Sequence, residues 1–122
     1  MRFRVFVSSQ GDFDTWAKTA AGDRVAPTAD LAKAGEQQFV TSGCVGCHTV
    51  KGQQGAAGKV GPDLSHFAIR TTMASGIMDN KPENVKKWLA NPQAVKPGAL
   101  MPNLGLSPEA IEKLAAYLAG LK

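Results

Sequence analysis

No apolar stretch of this 122-residue chain runs beyond a few residues, whereas a membrane-spanning helix needs about 20. No basic region leading into an apolar run and a small-residue cleavage site opens the chain either, so the sequence as it stands is expected neither to span a membrane nor to export itself. Basic residues are unclustered: Lys51, Lys59, Lys81, Lys86, Lys87 and Lys96 are scattered, without a run of five or six. A nucleic-acid surface gathers such charges with aromatics, and that class is set aside. The net charge of +4, which divides as +1 up to Thr28 and +3 beyond it, suits a surface weakly attractive to an acidic partner better than a grip on a polyanion. Internal repeats and low-complexity segments are also missing. Cysteine is scarce, with only Cys44 and Cys47. The length itself allows one small domain and an appendage.

The apolar pattern changes character along the chain. Arg2-Phe3-Arg4-Val5-Phe6-Val7 is rich in β-formers, with Phe3, Val5 and Val7 alternating onto one face, and predicts a strand. Gly11-Asp12 opens a short amphipathic helix from Phe13 to Ala20 that carries Phe13, Trp16 and Ala17. One strand and one helix cannot satisfy the strand's backbone alone, so residues 1–20 are expected to be the severed end of another domain. Residues 21–28, with Gly22, Asp23 and Pro27, are predicted to be a linker.

From Ala29 onward the sequence predicts helices separated by Gly/Pro-rich loops. Asp30 is the expected cap of a helix that carries Leu31, Gly35 and Phe39 on one side and ends near Gly43. Residues 49–64 hold Gly52, Gly55, Gly58, Gly61 and Pro62 and predict a loop. A helix starts at Pro82-Glu83, places Val85, Trp88 and Leu89 on one face, and stops before Pro92. Ser107-Pro108-Glu109 supplies a cap, a first-turn proline and an acid at the positive end of the last helix, whose face is Ile111, Leu114, Ala115 and Leu118.

Cys44-Val45-Gly46-Cys47-His48 has the spacing that attaches a c-type haem: the two sulphurs add to the haem vinyl groups and the adjacent histidine ligates the iron. A redox-active Cys pair belongs at a strand-to-helix junction of a βαβ unit, and a zinc site needs a second Cys or His pair. Neither context is present. Candidates for a second axial ligand are His66, Met73, Met78 and Met101. Met101 is favoured, because Lys96-Pro97-Gly98-Ala99-Leu100-Met101-Pro102 is a stiffened irregular loop suited to holding a thioether in place. Met73 and Met78 are expected to be packing or surface residues, and His66 a polar loop residue.

These features resemble class I cytochromes c over residues 29–122. The resemblance implies an all-α fold of several helices around one covalent haem c with its iron. Gly35 and Phe39, with Tyr117 and Leu118, match the family's crossing of N- and C-terminal helices. Gly61-Pro62-Asp63-Leu64 is similar to the loop whose proline carbonyl accepts a hydrogen bond from the proximal histidine, here His48. Trp88 resembles the tryptophan that donates to a haem propionate. The implied axial pair is His48 and Met101.

A narrower resemblance rests on Trp88-Leu89-Ala90-Asn91-Pro92-Gln93, Lys96-Pro97-Gly98, Met101-Pro102, Gly61-Pro62-Asp63-Leu64-Ser65-His66 and Arg70. It is to the cytochrome c domain fused to subunit II of caa-type haem–copper oxygen reductases. Residues 1–7, with Phe13 and Trp16, resemble the last strand and terminal helix of the binuclear-copper domain in such subunits, where the methionine heading the strand is a copper ligand. Met1 occupies that position. The preceding cysteine, histidine and glutamate ligands are absent, so this chain is expected to hold no copper and to be a fragment. The implied role is one-electron transfer and no substrate chemistry. The implied partners are the copper domain and the rest of the oxidase, together with an electron-donor protein. The implied place is the outer face of the bacterial cytoplasmic membrane. A free soluble carrier, and a haem sensor or enzyme that releases Met101, are the competing readings.

Overall fold

A computed structural model describes residues 4–122. Five helices carry the fold: α1 (Gln10–Ala21), α2 (Asp30–Thr41), α3 (Pro82–Ala90), α4 (Pro92–Val95) and α5 (Pro108–Gly120). Among the described residues the only sheet is a two-stranded antiparallel ladder, β1 (Thr72–Met73) against β2 (Met78–Asp79). The expected all-α class holds.

Helices α2 and α5 cross at the centre, and the crossing depends on Gly35. A Cβ at that position would lie 2.0 Å from the Lys113 carbonyl oxygen and 2.7 Å from Tyr117 Cβ, so only a hydrogen lets the two backbones approach this closely. Phe39 and Tyr117 fill the contact beside it, with ring centroids 5.5 Å apart and tilted by 59°. Such a pair contributes about 0.5–1.5 kcal/mol beyond its area burial. Leu114, Leu118 and Leu121 from the chain's end meet Val85 and Leu89 of α3, and Val50, Leu64 and Phe67 from the loops close the core.

Local chemistry sets the helix ends. Ser107 Oγ accepts from Ala110 N at the start of α5, with Pro108 at the first helical position. Asn91 is extended (φ −160°), which ends α3 before Pro92, and its side chain then caps α4 through Ala94 N. Helix α2 differs from expectation at its start. Ala29 is the N-cap, Asp30 is already in the first turn, and no side chain caps this end. Its inward face is Ala32, Gly35 and Phe39, leaving Leu31 exposed: the i, i+3, i+7 row that contains Gly35 is the one that meets α5.

The N-terminal segment also departs from expectation. Residues 4–7 form no strand, and Val5, Phe6 and Val7 are exposed, because among the described residues no strand lies beside them to take up their backbone groups. The rest of the predicted strand, residues 1–3, lies outside the described residues. Helix α1 forms, capped by Ser9 through Asp12 N, but buries no residue. Phe13 and Trp16 pair with each other on its surface, centroids 5.7 Å apart. The predicted linker is anchored: Arg24 N donates to Lys51 O at 3.1 Å.

Candidate functional site

Helix α2 delivers the Cys motif. After Thr41 the chain passes Gly43 in left-handed geometry (φ +75°) and enters a single tight turn, Cys44–Gly46. The amides of Cys47 and His48 both donate to the Cys44 carbonyl, at 3.1 and 2.9 Å. Both sulphurs and the imidazole therefore belong to one compact structure. Both thiols are free and partly buried. Burial pushes the Cys44 thiol above its usual range, and the neighbouring Cys47 adds to that, against a backbone hydrogen bond that lowers it.

His48 is fixed from behind, as the resemblance implies. Its Nδ1 lies 2.8 Å from the Pro62 carbonyl oxygen. A carbonyl only accepts, so Nδ1 carries the proton and Nε2 keeps a free lone pair for a metal. Space for this comes from Gly61, where a Cβ would sit 2.5 Å from the imidazole. Gly61 N also donates to Cys47 O at 2.7 Å, tying loop to motif.

The loop beyond Pro62 is braced through Asp63. Its carboxylate accepts from Ser65 N at 2.8 Å and Ser65 Oγ at 2.6 Å. Burial pushes the Asp63 carboxyl up, but these bonds, with the charges of Lys51 and Arg70, outweigh it and hold Asp63 below the usual carboxylate range. Arg70 donates to the Asp63 carbonyl oxygen. The structure thus places Arg70 as a brace on the loop that carries Pro62. His66 is a polar residue in the loop, as expected, and is buried there, with Nε2 3.1 Å from Gly22 O.

After α4 and the turn at Gly98 (φ +82°), Met101 packs partly buried against the core, as Trp88, Met78 and Cys44 also do. Lys96 Nζ ties this loop to the β1–β2 turn through Ser75 Oγ at 2.9 Å. The Trp88 indole Nε1 donates to Met101 Sδ at 3.1 Å, a contact the sequence reading did not include. Of the other methionines, Met73 is buried in the core and pairs with Met78 across the ladder.

The donor set fits a c-type haem. Two free thiols, an imidazole with its tautomer set by a carbonyl, and a thioether held from behind are the groups such a cofactor requires. Among the described residues no group of three or more His, Cys, Asp or Glu side chains could hold a metal ion unaided. No βαβ unit surrounds the Cys pair, so the redox-pair alternative lacks its scaffold.

The Cytochrome c family model matches residues 32–122. The chain belongs to the cytochrome c family. This cytochrome c domain therefore carries covalently bound haem c with its iron, and transfers electrons. The chain is 36% identical over 123 residues to cytochrome c oxidase subunit 2 of Alkalihalophilus pseudofirmus, covering all of this chain and 35% of that protein. It is 36% identical over 126 residues to cytochrome c oxidase subunit 2 of Bacillus subtilis, again covering 100% and 35%. A third relative, cytochrome c-type cyt cy of Rhodobacter capsulatus, is 32% identical over 96 residues, which cover 71% of this chain and 47% of that protein. The chain spans about a third of the length of the subunit 2 relatives it matches. Among the described residues no helix is long and apolar enough to cross a membrane.

Sequence reasoning missed the contacts that cross long separations. Tyr117 Oη donates to Gln53 Oε1, and Arg24 sits over the Tyr117 ring, 5.7 Å from its centroid. Neither pair has a spacing rule that would reveal it, although an arginine in a predicted linker was a signal available to follow.

Proposed function

We propose that this domain relays single electrons from a donor protein to the binuclear copper centre of an oxidase subunit II, within one longer polypeptide on the outer face of the bacterial cytoplasmic membrane. Cys44 and Cys47 would anchor the haem through thioethers, and His48 Nε2 and Met101 Sδ would hold its iron. The haem supplies a ferric/ferrous couple, and a Met/His pair favours a raised potential while leaving no position open to a substrate. The protein's own residues hold that couple still: Pro62 and Gly61 fix the imidazole, and Trp88 with the Lys96–Ser75 tether fixes the thioether. Residues 29–122 are the cytochrome unit, 21–28 join it to what precedes, and 1–20 are the end of the copper domain. Anchorage to the membrane comes through the remainder of the longer chain.

The observation that carries this reading is where similarity begins. The family model starts at residue 32, yet similarity to subunit 2 covers the whole chain. The extra segment contains α1, which buries nothing and displays Phe13 and Trp16, as an element whose packing partner lies in another unit would. The test has two parts. The full reading frame should contain the copper ligands ahead of Met1. Flash reduction of the haem in the full-length subunit should then be followed by electron arrival at copper within that subunit. A frame lacking those ligands turns the assignment to a free carrier. Binding of carbon monoxide by the ferrous protein at neutral pH turns it to a sensor.

A further inference from the structure

The segment between α1 and α2 has the composition of a swivel and the contacts of a fastener. Arg24 is its centre. The Arg24 side chain is 7% exposed and pairs with Glu36 of α2, with its guanidinium over the ring of Tyr117 from α5. It therefore lies against both helices of the central crossing. Its backbone N–H donates to Lys51 O at 3.1 Å. Two residues earlier, the Gly22 carbonyl meets His66 Nε2 at 3.1 Å, and Lys51 Nζ reaches Ala21 O at 3.4 Å.

The partners share a location. Lys51 and His66 flank the loops that present Pro62 to His48, and Lys51 N donates to Ser65 Oγ at 2.7 Å within the same network. By contrast, the Arg4–Asp79 pair at the N-terminal side of α1 is exposed on both sides, where such pairs contribute little. The holding is done at residues 22–24.

We propose that residues 22–24 are a clasp, pinned by Arg24 against Glu36 and Tyr117, that fixes the chain leaving α1 to the loops behind His48. The clasp makes the exit direction of the upstream chain a property of the haem domain. Under the oxidase reading above, on which only this consequence rests, the copper unit would be held in one orientation and would not swing on a free tether. A buried charge tied to a partner is costly to separate, because truncating one side leaves the other without compensation.

Arg24 precedes Val25, so the bond between them is a trypsin site that can be cut only when the Arg24 side chain leaves its pocket. In the haem-loaded protein this bond should resist trypsin at concentrations that cleave an unstructured peptide of the same sequence. Glu36→Gln, with an unchanged haem spectrum, should be cut there at least about tenfold faster, in line with loss of a charge-assisted bond of about 1.5–3 kcal/mol. The Arg24 amide should also exchange with solvent slowly in the wild type and faster in the variant. Cleavage of the wild type at the peptide's rate, or an unchanged rate in Glu36→Gln, overturns the proposal. Neither readout needs an electron-transfer partner, so the clasp can fail while the oxidase reading stands, and the reverse.

Discussion

The indole N–H of Trp88 donates to the sulphur of Met101 at 3.1 Å, joining residues 13 positions apart. Helix α3 holds the donor, with Val85 and Leu89 anchoring it in the core, while the acceptor lies on a loop without secondary structure. A rigid element thereby positions a residue on an irregular one. A donor aimed at a thioether also withdraws electron density from it, which disfavours the ferric state of an iron that the sulphur ligates.

Trp88→Phe should accordingly lower the reduction potential. A net hydrogen bond of about 0.5–1.5 kcal/mol corresponds to a few tens of mV, at about 59 mV per tenfold change for one electron. Redox titration of the purified domain checks this. Met101→Ala should have a larger effect and remove the Met-to-iron absorption band from the red end of the ferric spectrum. An unchanged potential in Trp88→Phe would mean that the indole does not act through the sulphur, and retention of the band in Met101→Ala would move the ligand to Met73 or Met78.

Gly61→Ala should misplace the proximal imidazole. Its new Cβ would fall 2.5 Å from the His48 ring and 2.7 Å from Nδ1, so either the ring or the loop must yield, and the Nδ1 to Pro62 bond lengthens. Overpacking of this kind costs about 1–3 kcal/mol. The expected result is a lower thermal midpoint of the haem-loaded protein and a shifted potential. Both should appear in one variant, because the same contact stabilises the loop and sets the basicity of the ligand.

How legible the sequence was follows the range of each interaction. The haem motif, the Ser107-Pro108 helix start and the stop at Pro92 are local chemistry and are formed as the residues predict. Gly61-Pro62 was legible through resemblance, and the 2.8 Å bond agrees with it. Three readings were not. The face of α2 was offset by one residue, because Leu31 is the more apolar choice but Ala32 shares the row with Gly35 that α5 contacts. The strand at residues 4–7 needed a pairing neighbour, and none of the described residues provides one. The Trp88–Met101 contact required knowing where the Met101 loop returns, and periodicity carries no such information.

Tyr117 should make the protein sensitive to alkali. It is the chain's one tyrosine, and burial pushes its phenol up to about 12, with Arg24 lowering it and Glu36 raising it. An unfolded tyrosine titrates near about 10, so at intermediate pH the unfolded chain has released a proton that the folded one keeps. Stability from this group is then complete below about pH 10 and is lost as pH rises towards about 12. Phenolate absorbance should show a midpoint near the upper value. Tyr117→Phe, which keeps the ring against Phe39, should make the urea midpoint fall less steeply across that range. Equal slopes in the two proteins would show that the hydroxyl is not buried in solution.

Docking should depend on apolar contact more than on charge. Leu100 stands 93% exposed one residue before Met101, and Ala99 and Val45 lie half-buried beside the two ligand-bearing segments. A large exposed apolar side chain at that point has no folding role and suits a surface that meets a partner near the haem. The flanking charge is already engaged: Lys96 Nζ donates to Ser75 Oγ at 2.9 Å. Lys113, on α5, is paired with Glu109 at 2.6 Å and serves as a charge outside this patch. Screening acts on exposed charge pairs and leaves apolar contacts nearly untouched. The electron-transfer rate with a copper-domain acceptor should therefore fall only modestly as ionic strength rises. Leu100→Asp, Ala99→Asp or Val45→Asp should each slow it more than Lys113→Gln does, by about tenfold for a desolvation cost of about 1.4 kcal/mol. Stopped-flow mixing at several salt concentrations makes the comparison. A steep salt dependence with no response to the three aspartates would place docking on another face, whereas a response to them confined to low salt would show charge repulsion in place of lost apolar contact.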